Sequence, residues 1–116
     1  MAAARDADLL LHEALAPHIV STIEQMTRAE GRPRIAKIMA DIPDYHTSPV
    51  AAAKAANEAN VGRLVLYHLV PGPPPGVAEQ VFLRGVSAVR KDVTLAVDGS
   101  IYTLPAGSRE IREREL

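Results

Sequence analysis

The chain has 116 residues, 47% of them apolar and 3% aromatic, with a formal net charge of −1 and no cysteine. That length and composition fit one domain with a modest core of Leu, Val, Ile and Ala, and they exclude wholesale disorder. The missing cysteines exclude disulfides, thiolate zinc sites and cysteine nucleophiles, and the near-neutral charge gives no electrostatic case for nucleic acid as a partner.

Met1-Ala2-Ala3-Ala4-Arg5-Asp6 lacks the basic-then-apolar order of a secretory signal. No apolar run approaches the ~20 residues a bilayer crossing needs. A soluble, cytoplasmic protein without membrane partners is the expectation.

Residues 8–11, closed by His12, read as a short buried strand. Pro17 suits the first turn of a helix, where its missing N–H costs nothing. Ile19, Val20, Ile23, Met26 and Thr27 then recur at helical spacing, and Gly31 stops the run. Pro33 starts a second, shorter helix with Ile35, Ile38 and Met39 on one face. It ends over 41–44, because residues before a proline avoid helical dihedrals. Ser48-Pro49 supplies an N-cap and an N1 proline for a third helix, which runs to about Asn60 through Val50, Ala53, Ala56 and Ala59.

Residues 63–68 form the second strand, apolar on both faces as in parallel sheets covered by helices. The wholly helical connection between the two strands predicts a right-handed parallel crossover. The Pro-rich run 70–76 is a stiff connector or a rigid wall beside His68. Residues 77–88 read as a helix with Val81, Phe82 and Val86 inward and Gly85 as its weak point. Residues 93–97 and 100–104 flank Asp98-Gly99, the pattern of a β-hairpin. The folded unit is thus 1–105, and 106–116 is a charged tail, either a frayed helix or disordered.

Chemistry concentrates on three histidines at element boundaries. His68 ends an apolar strand, where open α/β sheets place their sites. His12 ends the first strand and His46 precedes a helix entrance. His12-Glu13 does not begin a zinc-protease helix, because the fifth position is Ala16. Spacing alone provides no local metal loop. Imidazole is nonetheless a good neutral zinc ligand, usually backed by a carboxylate, and Glu13 and Asp44 are the nearest in sequence. His18 reads as structural. Arg28, Arg32, Arg34 and Lys37 interleave with Glu24, Glu30 and Asp41, the pattern of a solvated face. No phosphate-cradling loop, nucleophile elbow or dinucleotide fingerprint is present.

Three segments carry a resemblance. Ala7-Asp8-Leu9-Leu10-Leu11-His12-Glu13-Ala14, then the run from His46-Thr47-Ser48-Pro49 to Ala56, then Asn57 to His68 occur in the order and spacing of the C-terminal portion of ribonuclease Z-like proteins. In that order they resemble the metallo-β-lactamase superfamily. The resemblance implies an α/β fold, the later half of an αββα sandwich, with short parallel strands covered by helices plus a C-terminal β-hairpin. It implies a metal-dependent hydrolase that attacks a phosphodiester or other ester with metal-bound hydroxide. His68 would bind one zinc of a two-metal centre. His46 would handle a proton beside the metals, Glu13 would support it, and His12 would orient the strand end.

Departures narrow the implication. Leu15 replaces a threonine, Tyr67 stands where threonine often precedes the ligand, and Leu69-Val70-Pro71 replaces a Ser-x-Arg pattern. Transfer-RNA processing therefore competes with hydrolysis of other esters. The family's His-x-His-x-Asp-His motif is not in this sequence. One histidine cannot hold two metals that need about four ligands each. The expectation is a C-terminal part that is inactive alone and holds no stable zinc, with the N-terminal half or a partner chain supplying the rest. A non-catalytic α/β interaction module, or a small homo-oligomer with a site built from His12, His46 and His68, stands as the alternative. Sheet edges left open predict association or poor solubility.

Overall fold

Strands β1 (Leu9–Leu15) and β2 (Arg63–Val70) lie side by side and parallel in the computed structural model, which describes residues 2–116. Between them run helices α1 (Pro17–Ala29), α2 (Pro33–Asp41) and α3 (Pro49–Glu58), with a 3₁₀ turn at Ile42–Tyr45. Each of the three helices begins on its proline, and Ser48 Oγ caps α3 by accepting from the Ala51 N–H at 3.1 Å. Gly31, at φ +74°, takes the left-handed position that ends α1.

Both strands outrun the expected boundaries. The last β1 amides find acceptors, Leu15 N–H on the Thr47 carbonyl at 2.8 Å and Ala16 N–H on the Val70 carbonyl at 2.9 Å. Extended backbone therefore continues past His12 and His68 with its donors satisfied.

β2 is the centre of a three-stranded sheet in the order β1-β2-β3, with β3 (Val93–Leu95) also parallel to it. Leu64, Val65 and Leu66 are fully buried, which explains a strand with no polar alternation. On one face α3 brings Ala52, Ala53 and Ala56 against Ala14, Leu64 and Leu66, with Phe82 and Val86 closing the core. Small side chains on α3 let its backbone approach the sheet closely. The chain's one phenylalanine then supplies much of the apolar volume.

Two local expectations are corrected. The segment expected as one helix over 77–88 is α4 (Val77–Phe82) followed by a 3₁₀ turn at Val86–Ala88, because Gly85 takes a left-handed φ of +84°. The hairpin about Asp98-Gly99 does not form. Its first arm joins β2 as β3, and its second, β4 (Ser100–Thr103), pairs antiparallel with β5 (Arg112–Glu115). The C-terminal antiparallel pair exists, but its second strand comes from the charged segment expected to be frayed or disordered. Arg63 ties the two sheets together: its guanidinium hydrogen-bonds Thr94 on one and Glu113 on the other, and lies 5.6 Å from the Tyr102 ring. Among the described residues no helix is long and apolar enough to cross a membrane.

Gly62 marks where β2 enters the sheet. Its N–H donates to the Ala7 carbonyl, and a Cβ here would sit 2.7 Å from the Asp8 carbonyl oxygen, a backbone atom unable to swing away. Gly62→Ala is expected to cost about 1–3 kcal/mol through strand displacement, and Ser48→Ala about 1 kcal/mol through loss of the cap. Urea unfolding checks both. Wild-type midpoints for both variants would contradict the packing described.

Candidate functional site

Alternation along β1 decides which side chains reach the site. Ala14 points into the core beneath α3, so its neighbour Glu13 projects to the opposite face. There the Glu13 carboxylate meets the segment between the 3₁₀ turn and α3. Its Oε2 accepts from His46 Nδ1 at 2.9 Å, and its Oε1 accepts from the Thr47 backbone N–H at 2.8 Å. The Thr47 carbonyl in turn accepts from Leu15. One peptide and one carboxylate thus fix His46 against the end of β1.

His68 arrives from β2 by another device. Glu13 pairs with Tyr67 but Ala14 pairs with Leu69, so His68 is the extra residue of a β-bulge, and its φ is +49°. Bulges re-aim side chains at strand ends. The ring it presents stacks on His46, with centroids 6.0 Å apart and planes inclined by 23°. Glu13, His46 and His68 therefore meet at the carboxyl edge of the parallel sheet.

Burial pushes the Glu13 carboxyl up, but the hydrogen bonds from His46 and Thr47 outweigh it and hold the group below the ordinary glutamate value. An ionised Glu13 fixes the proton of His46 on Nδ1, leaving Nε2 as the nitrogen free for proton exchange or a ligand. Clefts open on either side of the imidazole pair. One, of about 390 Å³, is bounded by Leu15, Pro17, Pro43 and His46. The other, of about 490 Å³, runs from Tyr67 and His68 across Gly72-Pro73 to Val97 and Asp98.

The remaining candidates lie elsewhere. His12 Nδ1 donates to the Glu13 carbonyl at 2.7 Å, and His18 Nε2 meets the Val81 carbonyl at 2.6 Å, tying α1 to α4. Asp44 is exposed. Three of the basic residues around Gly31 form ion pairs, Arg28–Glu24, Arg32–Glu30 and Lys37–Asp41. Among the described residues no three of His, Cys, Asp and Glu converge as a metal cage. With His46 Nδ1 held by Glu13, the donors do not fit a four-ligand zinc ion in this chain by itself. Sequence reasoning missed the Thr47 amide, since a backbone donor leaves no signature in residue type, and it missed the bulge, which no Gly, Pro or Asn announces.

No protein-family model matches the chain. Among curated proteins it is similar to ribonuclease Z of Mycobacterium tuberculosis (strain H37Rv), 40% identical over 77 residues, which are 66% of this chain and 24% of the relative. It is 33% identical to ribonuclease Z of Synechococcus sp. (strain CC9902) over 97 residues, 82% of this chain and 25% of that protein. Ribonuclease Z of Mycobacterium avium (strain 104) gives 38% over 77 residues. The matches fall in the C-terminal part of these relatives. These similarities support a ribonuclease Z-like member of the metallo-β-lactamase superfamily.

The architecture agrees with the later half of that superfamily's fold. The family is one of metal-dependent phosphodiesterases that act on RNA. The chain spans about a quarter of the length of the relatives named here.

Because the folded-state pKa of Glu13 is lowered, its contribution to stability is present above the ordinary glutamate value and lost as pH falls through the lowered one. Thermal midpoints of wild type should therefore fall faster than those of Glu13→Gln below about pH 4.5. Parallel curves for the two proteins would contradict the ionised grip on His46 and Thr47.

Proposed function

We propose that this chain supplies the proton-handling part of a metal-dependent phosphodiesterase site, and that the metal-holding part comes from residues it does not contain. The carrying observation is the convergence of Glu13, His46 and His68 at one sheet edge in a ribonuclease Z-like chain. His46 is the proton carrier. Glu13 holds its Nδ1–H, which orients the ring and stabilises the imidazolium when Nε2 takes up a proton. Protonated Nε2 then serves either the developing negative charge or the leaving oxygen of an ester. His68, with its ring exposed beyond the bulge, is placed to offer a ligand to an incoming metal.

The remainder of the site is then a segment bearing His-x-His-x-Asp-His, joined to this chain or carried by another. β1 is an edge strand and Leu11 is 53% exposed, which leaves a place for further strands to join. On this reading the chain alone holds zinc weakly and turns over no substrate. Zinc is the expected metal because imidazole and carboxylate donors suit it.

Reconstitution tests the reading. Purified chain should bind less than one equivalent of zinc and leave bis(p-nitrophenyl) phosphate intact. Mixing with the N-terminal remainder of a ribonuclease Z relative should restore zinc-dependent hydrolysis. In the mixture His46→Ala should lower kcat by about 10²–10⁴-fold, the range for a lost proton carrier. His68→Ala should weaken zinc binding. Full activity of the chain alone, or of the reconstituted His46→Ala protein, would overturn the assignment.

A further inference from the structure

The cleft beside His68 has features that the hydrolytic reading does not use. One wall is the half-exposed Tyr67 ring and another is the Gly72-Pro73 turn of the Pro-rich loop. Leu69, Ala96 and Val97 also line it, and Asp98 is the one carboxylate, with no Lys or Arg among the lining residues. The rim is rigid. Ala96 N–H donates to the Leu66 carbonyl at 2.9 Å, Ser100 N–H to the Val97 carbonyl at 3.0 Å, and Val97 N–H to Ser100 Oγ at 3.0 Å. Asp98 is thereby held on a doubly pinned turn, with Gly99 at φ +88°.

These features select a ligand. A lone carboxylate without a cation repels phosphate and attracts N–H donors. An exposed phenol ring lining the same cleft as a proline turn offers a flat aromatic group a surface for stacking. A volume of about 490 Å³ lies in the range of small-molecule sites and exceeds what one base needs. We propose that this cleft is a nucleobase subsite next to the imidazole pair, selective for bases that present an exocyclic amine to Asp98. Guanine fits best, because its N1–H and N2–H₂ point the same way and match both carboxylate oxygens. Uracil, with carbonyls flanking a single N–H, fits worst. The inference rests on the reading of an RNA phosphodiester as substrate: the phosphate lies at the imidazoles and a flanking base enters the cleft.

Binding to the metal-free chain tests the subsite apart from catalysis. The four ribonucleoside 5′-monophosphates and ribose 5-phosphate would be titrated against ¹⁵N-labelled protein by NMR. Guanosine monophosphate should shift the Tyr67, Gly72 and Asp98 amides and bind on the order of tenfold tighter than uridine monophosphate, the worth of one charge-assisted hydrogen bond. Ribose 5-phosphate should be weakest. Asp98→Asn exchanges an acceptor for a donor and should move the preference toward uridine, while Tyr67→Ala weakens all four. Asp98 is exposed, so its substitution leaves the fold intact, which the amide spectrum itself verifies. Equal binding of ribose 5-phosphate, no binding at all, or an unchanged order in Asp98→Asn would overturn the subsite. Base discrimination without reconstituted hydrolysis would sink the hydrolase reading and spare the cleft. Hydrolysis without discrimination would do the reverse.

Discussion

A single carboxylate joins the scaffold to the chemistry. Glu13 has two oxygens and each has one partner, a side chain thirty-three residues away and a backbone amide thirty-four away. Neither contact is local, so both depend on β1 and β2 pairing and on the helices between them returning the chain to the sheet edge. The consecutive amides of Leu15 and Ala16 complete the arrangement, one tied to the His46 segment and the other to the strand that bears His68. Core and site are coupled by pleating as well: Ala14 fills the space under α3 because Glu13 faces the other way. A slip of one residue in β1 would bury the carboxylate and expose the methyl group.

Much of the scaffold was legible because proline punctuates it. Pro17, Pro33 and Pro49 each occupy a first helical turn, where a missing N–H is harmless, and every one begins a helix. The unbroken apolar run of β2 announced a strand covered on both faces. Legibility failed where a long-range partner outbid a local rule. Asp98-Gly99 favours a tight hairpin in isolation, yet the open edge of β2 captured Val93–Leu95 and left Ser100–Thr103 to find Arg112–Glu115. The alternating Arg and Glu of that last strand resemble a solvated tail, since no apolar residue among them signals a face.

The site divides the same way. His46 and His68 could be picked out because they end or precede elements, and Glu13 because it follows a strand histidine. Their meeting needed tertiary structure. Asp44, equally near in sequence, lies exposed in the 3₁₀ turn. Family membership supplies the reaction class, while the geometry divides the labour. Under the proposed division, Glu13 and His46 of this chain handle the proton, and His68 is the imidazole offered to the metal.

The bulge at His68 carries a thermodynamic consequence. A left-handed backbone at a non-glycine residue costs roughly 1–2 kcal/mol, although histidine tolerates it better than most. Selection for a sturdier fold alone would relax that position to glycine or asparagine. An imidazole there gives up part of that resilience and gains the stacked position on His46.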